Sequence, residues 1–508
     1  MSGLLPAFVV IPLIAAFILP LFGKKGKDAA TVLANIITIL LLGLAVYVVA
    51  TEKTGMYQIG KWSIPLGINL VLDGLSALML LAIGVVSAAA MLYSARYMER
   101  YTAKSKYLSL FLLMVAGMNG VVLSGDIFNI FVFLEIASLA SYALVGFGCE
   151  HEELEAAFKY MVLGSIGSVF ILFGIALVYG NTGALNLAYI SEIIHKMGIN
   201  AGLSFALALF IVGFGLKTAI VPFHAWLPDA HSSAPAPISA MLSGIIIKTL
   251  GVYALVRIVF NVFGVSVQIG WLIVVLGLIS MIAGAFLAIG QWDIKRLMAY
   301  SSISQIGYVI LGIGLGATLI AEGGQKADLA PLALLGGLFH LANHAVYKSL
   351  LFLTSGSVEM ATGTRDLRQM GGLAERLPYT RATCTLASAS IVGIPPFSGF
   401  WSKLILVVAA IQAQIYWIAA IIVFVSLCTL IMYLKVQRYA FLGELPENLR
   451  QVKENKGPML VAMAFLACLC VLMGLLVLVP GLKENVLQPA VNVLRNGLQY
   501  SVDVIAMK

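Results

Sequence analysis

The chain has 508 residues, 61% of them hydrophobic and only 11% charged. Soluble domains carry about 25% charged residues, so this composition excludes a water-facing globular surface. The net charge of +8, which in a soluble protein would suggest nucleic acid, reads here as orientation bias in membrane loops, with no nucleic-acid partner.

Apolar runs of about 18 or more residues recur from end to end, each long enough to cross a bilayer. A spanning chain must satisfy its own backbone. No weak ten-residue alternation argues for a barrel, so the fold class is all-α integral membrane. About 14 transmembrane helices are expected. They centre near Ala15, Leu41, Leu81, Val115, Ala137, Ile171, Leu209, Ile246, Val275, Ile306, Leu341, Ser390, Val425 and Leu469. The first run, Leu4 to Phe22, has no basic segment ahead of it and is followed by Lys24, Lys25 and Lys27. It reads as a first span, not a cleaved leader. From about Lys483 onward, apolar positions at helical spacing predict a segment lying along the interface.

Loop charge predicts the orientation. With the N-terminus outside, about 19 of the 31 Lys and Arg fall in inner loops. These include Lys24, Lys25, Lys27, Arg96, Arg100, Lys295, Arg296, Arg365, Arg368 and Lys435. About eight fall outside or at outer helix ends: Lys53, Lys61, Lys196, Arg257, Lys326, Lys483, Arg495 and Lys508. This bias predicts both termini on the outer side and an even number of spans. Arg257, near a helix end, is expected to snorkel.

Four lysines fit neither group. Lys217, Lys248, Lys348 and Lys403 lie within expected spans. Two of them accompany helix breakers. The span near Leu209 holds Lys217 and then Pro222; the span near Ser390 holds Pro395 and Pro396 and then Lys403. These are the seventh and twelfth expected spans, so they cross in opposite directions, as an inverted repeat of five-helix units would place them. Interrupted helices at matching positions of two halves point to a transport site, although a proline can simply kink a packed helix.

A charge at the bilayer centre costs about 2.5–3.5 kcal/mol on the gentlest scale, so four lysines cost on the order of 10 kcal/mol unless paired, hydrated or neutral. Glu135, in IFVFLEIASLASY, is the carboxylate available to them. A lysine balanced between burial and an opposing carboxylate can exchange its proton near neutral pH; the alternative is a static ion pair that fixes packing. Lys248, in SGIIIKTLGVYALVR, reaches neither interface easily. In HLANHAVYKSLLF, His340, His344 and Lys348 recur every four residues. They form one helix stripe about 12 Å long. That stripe suits stepwise proton transfer through water. The histidines could equally bond neighbouring backbone, or share a metal for which no further ligand is found. Ser301, Ser302, Ser304 and Gln305 are candidates to host water, or serve only for packing.

Other patterns carry less. GIGLG at Gly312 lies in a span, GFGLKT at Gly213 lacks phosphate-loop spacing, and HEELE at His151 lacks the second His of a zinc protease. The five cysteines show no metal or iron–sulfur spacing, so no cofactor is expected in this chain.

Five segments together carry a resemblance: FVFLEIASLASYALVGF, GLKTAIVPFHAWLPDAHSSAPAPISAMLSGIIIKTLGVYALVR, KRLMAYSSISQIGYV, HLANHAVYKSLLFLTSGSV and IVGIPPFSGFWSKL. They resemble the antiporter-like membrane subunits of respiratory complex I, the D-type member of Mrp sodium/proton antiporters, and the related subunits of group 4 membrane-bound hydrogenases. The resemblance covers roughly Tyr107 to Tyr439 and implies two inverted five-helix repeats, each with a broken helix. The expected organisation is an N-terminal three-helix segment over 1–106, a first repeat over 107–263, a second over 264–440, and a last span with an amphipathic segment over 441–508. It implies that Glu135 pairs with Lys217, and that Lys248, His340, His344, Lys348 and Lys403 continue an ion pathway. The implied function is proton or sodium translocation by a subunit of a redox-driven complex in the cytoplasmic membrane of a prokaryote. The alternative is the D-type subunit of an Mrp antiporter without redox chemistry. No redox site is expected in this chain. Iron–sulfur, flavin or nickel–iron centres would sit in partner subunits, and the partners would include other antiporter-like subunits and the lipid bilayer.

Overall fold

The computed structural model describes residues 2–23, 26–51, 54–476, 481 and 483–507. Lys24, Lys25, Lys53 and Lys508, which entered the charge bias, lie outside the described residues. Helices α1 (Ala7–Ile18) and α2 (Lys27–Thr51) lead into an antiparallel hairpin of β1 (Gly55–Gln58) and β2 (Asn69–Leu72). Then come α3 (Gly74–Tyr97), α4 (Lys104–Leu123), α5 (Ile127–Val145), α6 (His151–Thr182) and a short α7 (Leu187–Met197). Next are α8 (Ala201–Thr218), α9 (Trp226–Ser233) and the helix α10 (Ala236–Phe263), which is π-helical over Leu242–Tyr253 and Arg257–Phe263. The second half comprises α11 (Val267–Ile289), α12 (Ile294–Glu322), α13 (Ala330–Thr362), α14 (Pro378–Val392), α15 (Ser398–Gln412), α16 (Tyr416–Val436) and α17 (Pro458–Leu476). Two short helices, α18 (Gln488–Arg495) and α19 (Gln499–Ala506), close the chain.

Among the described residues, 12 helices are long and apolar enough to cross a membrane. The other two expected spans fall on shorter apolar pieces, Ala7–Phe22 and the interrupted pair α14–α15. The hairpin was not expected. Its turn uses Gly60 at φ +67°, and buried Asn69 ties it to the bundle by accepting a hydrogen bond from Asn186 at 2.9 Å. The amphipathic C-terminal segment does form helices. Its apolar face, Ala490, Val491 and Leu494, is buried against α3 and α13, not turned to lipid.

Hydropathy does not sort these helices into inner and outer ones, because lipid is as apolar as a protein core; polar content does. Every residue of the apolar window of α10 is buried, against 33% for α2. Helices α10, α12 and α13, which carry most of the polar candidates, take the centre, and α2, α6, α16 and α17 the perimeter.

Helix ends follow local chemistry. Asp73, Asp126 and Asp293 cap α3, α5 and α12, each accepting a backbone N–H three residues on at 2.9 Å. Two other ends repeat one another. Helix α6 ends on Thr182, followed by Gly183 at φ +65° and Asn186; α13 ends on Thr362, followed by Gly363 at φ +73° and Asp366. Each threonine hydroxyl donates four residues back, to Val178 at 2.8 Å and Val358 at 2.9 Å. Asn186 and Asp366 form lone antiparallel bridges to Asp126 and Asp293. The two turns sit at opposite ends of the bundle. Asn186 contacts the hairpin, whereas Arg365 reaches Glu152 at the start of α6. This second end also gathers Arg296 and Lys159, both bound to Asp229 of α9, and is called the basic end below.

Candidate functional site

Both expected helix breaks are present, and each holds a lysine. Helix α8 stops at Thr218 because Ala219 turns left-handed at φ +58°, and Pro222 lies in the irregular stretch before α9. Trp226 bridges the break: its indole N–H donates to the Leu216 carbonyl at 3.0 Å, and its ring stacks on Tyr160 at 4.1 Å. Helix α14 stops at Gly393, φ +90°, and Pro395 and Pro396 lie before α15.

Lys217 sits in the last turn of α8. Its Nζ donates to Ser138 Oγ at 3.0 Å and Tyr142 OH at 3.2 Å, and lies 3.6 Å from Glu135. Glu135 also accepts from Ser168 of α6. Lys217 is buried, but 28% of the Glu135 side chain is exposed on the flank of the bundle. At the second break, Lys403 Nζ donates to the carbonyls of Ile391 and Val392 at 2.8 and 3.0 Å. These are the unpaired carbonyls that end α14, the negative end of its dipole.

Between the breaks lies the stripe of α13 with α10 and α12. Lys248 Nζ donates to the Ser243 carbonyl at 2.6 Å. Ser243 and Ser302 share a hydrogen bond of 2.7 Å. Ser302 and Lys348 both donate to the Met298 carbonyl, and Lys348 continues to Tyr433 at 3.2 Å, which meets Ser301 at 3.1 Å. His340 uses both ring nitrogens, one on Ser402 at 2.9 Å and one on Gln305 at 3.1 Å. Ser402 precedes Lys403 in sequence.

The sequence candidates thus fall into three contact groups: Glu135–Lys217, Lys248–Lys348–Ser301, and His340–Gln305 next to Lys403. Beyond these contacts, both ring nitrogens of His344 and of His231, and Thr249 Oγ1, are buried without hydrogen-bond partners in the protein. Ser304 belongs to none of the groups; its hydroxyl donates to Met281 at 2.9 Å and helps pack α12 on α11.

Three features were not foreseen. The hydroxyls of Ser138, Tyr142, Ser243 and Tyr433 bind the lysines or their neighbours, yet in sequence they look like packing residues. His231, stacked on Phe352 at 4.5 Å and fully buried, carried no flag beyond its residue type. At the basic end, Asp229 joins Lys159 (3.0 Å) to Arg296 (2.7 Å), and Arg365 joins Glu152 to Asp293, both at 3.3 Å, around a cavity of about 280 Å³.

Arg257 corrects an expectation. It does not snorkel; it is buried and paired with Asp73 at 2.6 Å. A buried arginine keeps its charge by finding a carboxylate inside. Among the described residues, no three His, Cys, Asp or Glu gather as metal ligands.

A family described as "NADH:quinone oxidoreductase/Mrp antiporter, TM" matches residues 124–429, and one described as "NADH-Ubiquinone oxidoreductase (complex I), chain 5 N-terminus" matches residues 57–108. The chain is 34% identical to the N-type subunit of the NADH-quinone oxidoreductase of Desulforudis audaxviator, over 88% of each chain. It is 31% identical to the D-type subunit of the Na(+)/H(+) antiporter of Alkalihalophilus pseudofirmus, over 93% of this chain and 94% of the other. Among solved structures, it superposes on a chain of the Mrp complex from Dietzia sp. DQ12-45-1b with a TM-score of 0.89 at 28% identity, covering 99% of both. It superposes on a chain of an archaeal membrane-bound sulfane sulfur reductase with a TM-score of 0.87 at 31% identity, again covering 99% of both. With a family match across more than half its length and relatives aligned nearly end to end, the chain belongs to the NADH:quinone oxidoreductase/Mrp antiporter family of membrane subunits.

Proposed function

We propose that this ion-translocating, antiporter-like subunit moves protons, sodium ions or both along a hydrated axis running Glu135, Lys217, Lys248, the His340–His344–Lys348 stripe and Lys403. The observation that carries the reading is the burial of four ammonium groups, two at the broken helices and two on the central helices α10 and α13, each donating to a carbonyl or hydroxyl. A static scaffold has no use for that expense. The unpartnered nitrogens of His344 and His231 suit the water that must bridge the contact groups. At roughly 4 Å, opposite charges attract by on the order of 4 kcal/mol at an effective dielectric of 20. Making and breaking the Glu135–Lys217 contact is therefore strong enough to decide where a proton rests.

The repeated Thr–Gly turns at opposite ends support two inverted five-helix units, over 107–263 and 264–440. The concentration of Arg and Lys at the basic end supports an inner-facing basic end, both termini outside, and the cytoplasmic membrane of a prokaryote as the location. The exposed flank of Glu135 calls for a neighbouring membrane subunit, since a carboxylate does not face acyl chains. Driving energy is assigned to redox subunits that would hold the flavin, iron–sulfur or nickel–iron centres, as the likeness to the N-type oxidoreductase subunit and to the sulfane sulfur reductase favours. The likeness to the D-type antiporter subunit and to the Mrp complex favours the second reading, ion exchange without redox chemistry. Purifying the native complex and identifying its subunits decides between them.

The axis is tested by Lys217→Ala and Glu135→Ala. Each is expected to cut coupled ion transport in vesicles at least tenfold while the complex still assembles. Full transport in either variant removes the switch.

A further inference from the structure

The ion pair of Asp73 with Arg257 plays no part in the axis just described, yet it is built with more contacts than packing alone requires. Arg257 Nη2 donates to Asp73 Oδ1 at 2.6 Å, Nε to Tyr253 OH at 2.9 Å, and Nη1 to Asn261 Oδ1 at 3.1 Å. Tyr253, Arg257 and Asn261 are therefore one face of α10, spaced four residues apart. One step further along the same spacing is Thr249, next to Lys248, whose buried hydroxyl has no protein partner. The polar face starts beside the central lysine and runs about three turns of this largely π-helical segment towards the end opposite the basic one.

The carboxylate that holds Arg257 borders open space. A cavity of about 480 Å³ lies against Asp73, with Asn492, Asn496, Tyr500 and Asp503 in its wall. The second carboxylate oxygen of Asp73 is buried and unpartnered. Asn261 donates to the carbonyls of Val493 and Gly497, at 3.2 and 3.0 Å, and so fastens the C-terminal helices beside the same opening. A fixed guanidinium across a polar passage repels cations, and a carboxylate that holds it aside or in line sets whether they pass.

We propose that the Thr249–Tyr253–Arg257–Asn261 face of α10 is an outlet from the Lys248 region to the face carrying the C-terminus, and that the Asp73–Arg257 pair is its gate. This rests on the ion-translocating reading above but makes a separate claim about access. With the pair closed, Thr249 is sealed from that face. With the pair broken, water and small cations reach it.

The test uses silver ion, a thiol-reactive cation small enough for such a passage. In the full complex with Cys149, Cys384, Cys428, Cys468 and Cys470 replaced by alanine, Thr249→Cys is exposed briefly to silver from one side of oriented vesicles. The thiols left free are then counted after denaturation. Asn496→Cys, in the cavity wall, reports access to the cavity itself. The expected result is protection of the cysteine at 249 while the pair is intact, and at least tenfold faster modification in Arg257→Gln, which removes the repelling guanidinium, from the C-terminal face alone. The charge-swapped pair, Asp73→Arg with Arg257→Asp, is expected to restore protection, which a general loosening of the fold would not do. If Arg257→Gln does not assemble, Asp73→Asn with Arg257→Gln, which leaves neither charge unpaired, serves in its place. Unchanged modification in an assembled gate variant, or modification from the basic end only, overturns the outlet. Because the readout is thiol access, failure here leaves the Lys217→Ala transport result standing, and failure of that result leaves this one readable.

Discussion

Lys403 and Lys217 solve the same problem by different means. Lys217 meets a carboxylate and two hydroxyls, whereas Lys403 meets two backbone carbonyls left over by a helix that stops. Replacing Lys403 by methionine keeps the stem but strands those carbonyls. A buried polar group left unmade costs about 1–3 kcal/mol, so Lys403→Met is expected to lower the thermal midpoint of the purified complex as well as its ion transport. Lys403→Arg should recover most of the stability, and equal midpoints for the two variants would show that the carbonyls find other partners. A different group sets an acid limit at the loop after α13. Hydrogen bonds from the Arg368 side chain and backbone N–H hold the Asp366 carboxyl below its ordinary value. The stability it adds is therefore present above about pH 4, the ordinary aspartate range, and is lost as pH falls through the lower folded value. Proteolysis of this loop is expected to be flat between about pH 5 and 8, to rise only in stronger acid, and to lose that acid step in Asp366→Asn.

At the scale of elements, the two breaks differ in how well their residues suit the backbone. Gly393 adopts its left-handed turn without a Cβ, but Ala219 does so against a penalty of about 1–2 kcal/mol. Ala219→Gly should thus raise the melting temperature and Ala219→Val lower it, because a β-branched residue is a stronger outlier there. The reverse order would mean that the break is set by the prolines alone. The breaks were legible in the sequence because lysine and proline are conspicuous in apolar runs, and so were Lys248 and the α13 stripe. The lysine partners were not: Tyr142 and Tyr433 are amphipathic residues that core packing and hydrogen bonding both favour. Nor was the role of Arg257, because nearness to a helix end suggests escape to water, and only the approach of α3 reveals Asp73. The hairpin between α2 and α3 was hidden by its four-residue strands, too short for an alternating pattern to stand out from a loop.

At the scale of the molecule, the perimeter is uneven. Leu139, one turn from Glu135 on α5, is 59% exposed on the flank that also exposes the carboxylate. If a neighbouring subunit covers this flank, Leu139→Cys will react with a lipid-soluble maleimide in the isolated chain and be protected at least tenfold in the native complex. Equal reactivity in both would leave the flank to lipid. The enclosure of α10 has a further consequence, for synthesis. This helix carries Lys248 and Arg257, each of which opposes insertion by about 2.5–3.5 kcal/mol near a helix centre, and in the finished protein its apolar window is wholly covered by other helices. A nascent α10 is therefore a poor candidate to partition into lipid alone. Asp73, made long before it, must wait at the start of α3 until Arg257 emerges from the ribosome, so the first half of the chain has to be held as an open cradle into which the charged helix is delivered.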